Sequence, residues 1–491
     1  ELDIPHSGFY AEGAGSMWNG ERVEELYEIV NFAKEKGIRT FSWEFPNMTR
    51  ERAKKFLPDV PEDELPITVL ENPEEFDDPV TYIDFTHPRA MELLRAQWKN
   101  RLAAGIKGTM VDFGDLVADQ TKFYDGRSGK EMHNGYAVEY AKHYNKLFTE
   151  KYGDDFVLYT RGGGAGSQAY ACQFGGDHLT SFLGMTAAIY GGLTIAASGF
   201  PFWGVDAGGY DGFADEETYL RWTAYACFCP IMRYHGTAPR EPWEYGQEAV
   251  EVYKKFAWLR ENILPYSYSA AVNAHRTGMP MMRPMMMEFP NELAVRHCKD
   301  VYMYGRDLLV APVHEEAKGR RVIFPKGRWI SFWDNRNVVT GSGEHYEEVP
   351  FDRIPVYLRE GAFVPVELNG SLRLGYSMTK SRKGALIVTP PELENSGKWY
   401  RNGFEEVHYK MKREKGGFYL ETEGAQDFDY ILVKGLAGGI KSVRIRDKAL
   451  EQAANKDALY FTEGWVLDTD GTLIIRTNGY QRLVLYVKGQ E

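Results

Sequence analysis

The sequence predicts an α/β protein: a (β/α)8 TIM barrel followed by C-terminal all-β sandwich domains. Three observations carry that reading. Strand-like runs alternate with helical periodicity over the first 290 residues. The strand-like runs are almost continuously apolar, as parallel strands covered on both faces should be. From about residue 300 the helical pattern stops, and short strands broken by Gly, Pro and Asp take over.

In order along the chain, HSGFY (6–10) is a candidate first strand. NGERVEELYEIVNFAKEKG (19–37) places Val23, Leu26, Ile29, Val30, Phe32 and Ala33 at helical spacing and closes on Gly37, a natural helix stop. IRTFSWEFP (38–46) is a strand, HPRAMELLRAQWKNRLAAG (87–105) a helix, and IKGTMVDFG (106–114) a strand. The pattern repeats with a helix at 133–153 and a strand at 155–163. LTSFLGMTAAIYGG (179–192) leads into the strand-like LTIAASGFPFWGVDAGG (193–209). TYLRWTAYACFCPIMRYHG (218–236) and a long helix over about 247–277 lead to MPMMRPMMMEFP (279–290).

Seven or eight βα units in that length suit a closed barrel, which takes about 250 residues. A doubly wound sheet is the alternative, but no GxGxxG follows a first strand. The expected domains are a barrel over 1–295, a proximal β-sandwich over 296–370 and a distal β-domain over 371–491.

Bulk properties narrow the partners. The net charge of −12, with no long Lys/Arg run, argues against nucleic acid and anionic membranes. No apolar stretch reaches the 18 residues of a membrane span. The four cysteines (Cys172, Cys227, Cys229 and Cys298) are too few and too poorly spaced for a disulfide framework or a zinc site. Read as buried free thiols, they fit a cytoplasmic location. The chain opens ELDIPHSGFY, with neither an initiator Met nor a signal sequence.

Polar residues at the C-terminal ends of barrel strands point to chemistry. Asp112 follows GTMV, Arg161 follows VLYT, Asp206 follows FWGV, His235 follows MRY, and Asp177 lies in the turn QFGGDH. Each has a structural alternative: a strand-end Asp commonly caps a helix or closes a loop, as Asp206 could around Gly208 and Gly209. Taken together, so many charges at strand ends exceed what packing requires. Two carboxylates with Trp43, Phe113, Phe174 and Trp203 nearby suit glycoside hydrolysis, in which one group attacks and the other handles the proton.

Residues of about 80–365 resemble glycoside hydrolase family 31, the retaining α-glucosidases and α-xylosidases. The resemblance runs in order through YIDFTHPRA, GTMVDFGD, KEMHNGYAVEYAK, YTRGGGAGSQ, QFGGDH, SGFPFWGVDAGGY, YLRWTAYACFCPIMRYHG, YMYGRDLLVAPV, KGRWISFWD and RIPVYLREGAFVP. It implies Asp112 as nucleophile and Asp177 as general acid/base. Arg161, Asp206 and His235 are implied as substrate-binding residues, and Trp43 and Phe174 as aromatic walls of the same sugar subsite. Asp115 is implied as a supporting residue. No metal or organic cofactor is required. Such an enzyme removes terminal α-linked glucose or xylose through a covalent glycosyl-enzyme.

Three features depart from the family pattern. The chain leaves no room for the usual N-terminal β-sandwich, and HSGFYAE offers Glu12 where the family has a sugar-binding Asp. Met110, two residues before Asp112, is shared with sulfoquinovosidases rather than with most α-glucosidases. A sulfoquinovosidase, a transglycosylase and a catalytically silent carbohydrate-binding protein are the alternatives.

Overall fold

The computed structural model describes residues 2–3, 23–70, 80–436, 438–477 and 479–489. HSGFY and Glu12 lie outside the described residues. The chain divides into two compact units, residues 1–174 and 175–491.

In the first unit, strands Leu2–Asp3, Thr40–Glu44, Gly108–Val111, Val157–Thr160 and Cys172–Phe174 lie side by side in chain order, each parallel to the next. Helices Val23–Glu35, Ala90–Ala104 and Gly135–Tyr152 connect them. Alternation along a strand sends successive side chains to opposite faces of the sheet. Glu44 turns toward helix Ala90–Ala104, where its carboxylate meets Arg101 at 2.8 Å with both side chains buried. The Arg101 guanidinium lies 3.7 Å over the Trp98 ring. Phe41 and Trp43 turn the other way and join Met110, Tyr159 and Phe174 in one apolar cluster. Gly108 permits this packing: a Cβ there would sit 2.2 Å from the Val157 carbonyl oxygen and 2.3 Å from the Phe41 ring.

In the second unit, Trp203–Asp206 and Ile231–Arg233 pair in parallel, with helix Glu216–Ala226 between them in sequence. Asp215 caps that helix by accepting the Thr218 N–H at 2.8 Å. Two expectations are corrected. The helix preceding this strand pair runs Phe182–Ala197, so LTIAA is helical and the strand begins only at Trp203; the helix is apolar all round, which removes the periodic signal. The expected helix over 247–277 is two, Gln247–Asn262 and Leu264–Thr277. Pro265 causes the break, because it lacks an N–H and its ring obstructs the preceding turn. The MPMMRP segment supplies strand Met282–Pro284, which pairs antiparallel with Tyr302–Tyr304.

Met282–Pro284 opens a six-stranded antiparallel sheet that also contains Leu308–Val310, Val356–Arg359, Arg328–Ser331 and Val338–Thr340. Further along, strand Phe363–Leu368 heads a five-stranded sheet, and Glu394–Arg401 heads a six-stranded one. The two share a core that includes Leu386, Ile431, Met411, Phe418 and Leu485, which makes them a sandwich. Cys227 and Cys229 are buried, whereas Cys172 and Cys298 are only half-buried; all four are free thiols. Among the described residues, no helix is long and apolar enough to cross a membrane.

Candidate active site

Strand Gly108–Val111 delivers Asp112 to its C-terminal end, where the side chain is 5% exposed. A carboxylate so desolvated needs donors. Trp43 Nε1 donates to Oδ2 at 2.8 Å, and the Phe113 N–H donates to Oδ1 at 2.8 Å. Arg161 brings its Nε to 3.1 Å from Oδ1. The backbone N–H of Asp112 is itself fixed by the Glu44 carbonyl at 2.8 Å.

Phe113 adopts φ 57°, a left-handed conformation that costs a residue with a side chain about 1–3 kcal/mol. This sharp turn aims the Phe113 N–H back at the carboxylate. The Phe113 ring in turn lies 4.3 Å beneath the Arg161 guanidinium. Met110 and Phe174, each 5% exposed, pack in the cluster with Trp43, and Phe174 meets the Tyr159 ring edge-on at 6.0 Å. Asp115 is exposed.

Asp177 lies in the second unit, exposed, on a turn that Gly176 makes possible with φ 81°. Strand Trp203–Asp206 ends at Asp206, which is 2% exposed. Arg233 Nε donates to Asp206 Oδ1 at 2.5 Å, and its Nη2 pairs with the same oxygen. Oδ2 has no hydrogen-bond partner among the described residues, which leaves a buried acceptor suited to a ligand hydroxyl. Burial raises the Asp206 pKa to about 6; Asp177's charge adds to the rise, and Arg233 and Arg240 oppose it. The Gly209 N–H bonds the Asp206 backbone carbonyl, not its carboxylate. His235 is half-buried, with its ring 5.4 Å from that of Tyr210.

Trp203 requires a correction. It is 1% exposed and packs in the helix-side core with Met185, Ile189 and Leu193, so close to helix Phe182–Ala197 that a Cβ on Gly192 would sit 2.4 Å from its ring. It stands three residues from Asp206 on the same strand, so alternation places the two on opposite faces.

Two cations were not anticipated from the sequence. Arg233 could have been found, because it lies two residues before His235 and shares its strand parity. Arg240, 6% exposed, carried no such signal. Its guanidinium donates to the carbonyls of Gly209, Tyr210, Gly212, Ala238 and Pro239 at 2.9–3.1 Å. It thereby ties the loop after Asp206 to the loop after His235.

A family model described as the glycosyl hydrolases family 31 TIM-barrel domain matches residues 2–270, and the family 31 C-terminal domain matches residues 278–364. The chain belongs to glycosyl hydrolase family 31. This family 31 chain is 32% identical over 294 residues to an α-xylosidase of Emericella nidulans, a match covering 58% of the chain and 38% of that protein. It is 32% identical over 320 residues to an isomaltosyltransferase of Sporosarcina globispora, covering 61% of the chain and 29% of that protein. The chain thus matches less than half the length of these relatives.

Among solved structures, a cycloalternan-forming enzyme from Listeria monocytogenes, in complex with a pentasaccharide substrate, superposes with a TM-score of 0.85 at 24% identity. That match covers 94% of this chain and 47% of the other, and it is a likeness of fold. A family 31 sulfoquinovosidase from E. rectale has a TM-score of 0.63 at 25% identity, covering 70% and 54% of the two chains.

Proposed function

We propose that this chain carries the catalytic apparatus of a retaining, exo-acting α-glycosidase that removes terminal α-xylose or α-glucose. The observation that carries this reading is the setting of Asp112: a buried strand-end carboxylate held by an indole N–H, a backbone N–H and a guanidinium. Such an array orients an acceptor-only carboxylate and keeps it in place for attack. In the first step an Asp112 oxygen bonds to the anomeric carbon as the glycosidic C–O bond breaks, and Asp177 gives its proton to the leaving oxygen. In the second step water attacks that carbon, Asp177 takes the water's proton, and the bond to Asp112 breaks. Asp206 and His235 would accept and donate hydrogen bonds to sugar hydroxyls. The family membership and the α-xylosidase relative support the substrate class.

The test is a panel of aryl α-glycosides. Wild type should release the α-anomer first, and Asp112→Asn should lose turnover by about 10⁴-fold or more. Asp177→Ala should lose far less on substrates with acidic phenols, which need little protonation, and added azide should yield an α-glycosyl azide. A wild type that binds sugars yet hydrolyses no α-glycoside overturns the reading. The similarity to an isomaltosyltransferase supports a second outcome, in which an acceptor sugar replaces water and the product is a new α-glycoside.

A further inference from the structure

Within the second unit, a cavity of about 350 Å³ opens among helix Gln247–Asn262, the loops after Ser331 and Leu368, and the strands Tyr430–Val433 and Leu473–Arg476. None of its lining residues belongs to the strand-end site. Its floor includes Lys434, only 6% exposed. A buried ammonium normally has a carboxylate partner. The Lys434 ammonium makes one hydrogen bond among the described residues, to the Phe332 carbonyl at 2.9 Å.

The carboxylates whose charge reaches Lys434 are Asp470, Asp334 and Asp468, and each is already engaged. Asp470 accepts from the Thr472 N–H and hydroxyl at 2.9 and 3.0 Å, Asp334 pairs with Arg336 at 3.0 Å, and Asp468 pairs with Lys456. At the rim, Lys255 is neutralised by Asp352 at 2.6 Å. The exposed Arg353 and Arg373, in contrast, make no side-chain hydrogen bond or ion pair among the described residues. The cavity therefore presents three cations without a direct carboxylate contact, beside Asp468 and Asp470, which also line it; the Arg373 charge acts on Asp468 and that of Arg353 on Glu347. It also carries the half-buried Trp333 ring, with Lys255 Nζ 5.2 Å over one face, and the exposed Tyr376 ring.

Three cations lining one small cavity outnumber the two carboxylates there and fit one anionic group, bound as charge-assisted hydrogen bonds. Aromatic faces beside them fit the C–H face of a sugar ring. The volume lies at the small end of ligand cavities, which span about 300–1,000 Å³, and so suits a monosaccharide rather than a chain. We propose that this cavity is a binding site for a monosaccharide bearing one anionic group. The anion meets Lys434, Arg353 and Arg373, and the ring lies against Trp333.

The test is calorimetric titration of the full chain with glucuronate, glucose 6-phosphate, glucose and inorganic phosphate. The two anionic sugars should bind at least about tenfold more tightly than glucose or phosphate alone. Lys434→Met should weaken them by about tenfold or more, the loss of a charge-assisted bond. Arg373→Ala, at an exposed position that leaves folding intact, should weaken them by about threefold to tenfold. Asp112→Asn should leave this binding unchanged, which separates it from the strand-end site. Burial lowers the Lys434 pKa to about 8, so affinity should fall as pH rises past that value and the ammonium loses its proton. Three results would overturn the proposal: no binding of either anionic sugar, binding that survives both substitutions, or phosphate binding as tightly as glucose 6-phosphate.

Discussion

Replacing Arg233 by methionine removes the cation that holds Asp206. Asp206 has its pKa raised from 3.8 to about 6, by burial first, with Asp177 adding and Arg233 and Arg240 opposing. A carboxyl with a raised folded pKa contributes stability that is fully present below its unfolded value and is lost as pH rises through about 6. Without Arg233 the pKa moves higher still. At pH 7 the wild-type carboxyl is about one unit above its pKa and gains about 1–2 kcal/mol by ionising. A variant whose Asp206 stays protonated gains nothing. At pH 5 both proteins hold the proton, and that difference vanishes. The lost hydrogen bond adds roughly 1 kcal/mol at either pH. Arg233→Met should therefore cost about 2–3 kcal/mol at pH 7 but only about 1 kcal/mol at pH 5. Thermal unfolding followed by circular dichroism at the two pH values reads this as a larger Tm shift at pH 7. Adding Asp206→Asn to the variant should erase the pH dependence. Equal Tm shifts at both pH values, or a larger one at pH 5, would refute the assignment of Asp206 as an ionised, Arg233-dependent acid.

The remaining expectations are structural and chemical. In a crystal structure with a bound sugar-like inhibitor, the Asp112 and Asp177 carboxyl groups should lie about 5–6 Å apart, near the spacing of retaining pairs; a separation well beyond about 9 Å would exclude a shared reaction. Gly108→Ala forces a methyl into the Val157 carbonyl and the Phe41 ring, and should destabilise the chain by about 1–3 kcal/mol or more, read as a lowered Tm. Burial pushes the Cys227 and Cys229 thiols up to about 12, so a disulfide reagent at pH 8 should modify them only after denaturation; fast labelling in the native protein would contradict their burial.

The helices with a periodic apolar face and the short buried strands were legible, because those patterns reflect packing within one element. Pro265 also announced itself, yet a helix was read through it. What could not be read was context. LTIAA is as apolar as a strand, and only its continuity with helix Phe182–Ala197 decides its conformation. Met282–Pro284 looks like any short strand, and its antiparallel partner Tyr302–Tyr304 lies beyond the segment itself. For the site, strand ends pointed to Asp112 and Asp206, and both prove buried with cations beside them. The face of Trp203 was legible too: in WGVD, the first and last residues cannot share a face. Arg240 acts through backbone carbonyls supplied by its neighbours, and no side-chain pattern encodes that.

The Arg240 hub has a consequence for how this region can change over time. Its guanidinium donates to main-chain oxygens of Gly209, Tyr210, Gly212, Ala238 and Pro239, and to one side chain, the Tyr245 hydroxyl at 3.3 Å. At the exposed Pro239 the side chain is therefore not what Arg240 holds. Substitutions there can accumulate while the backbone keeps its course. The glycines are held more strictly, since Gly209 combines φ 81° with a neighbour 2.7 Å from any added Cβ. One buried cation thus separates a rim free to diversify from a frame that is not, and exchanging either loop between relatives should succeed only when the arginine travels with it.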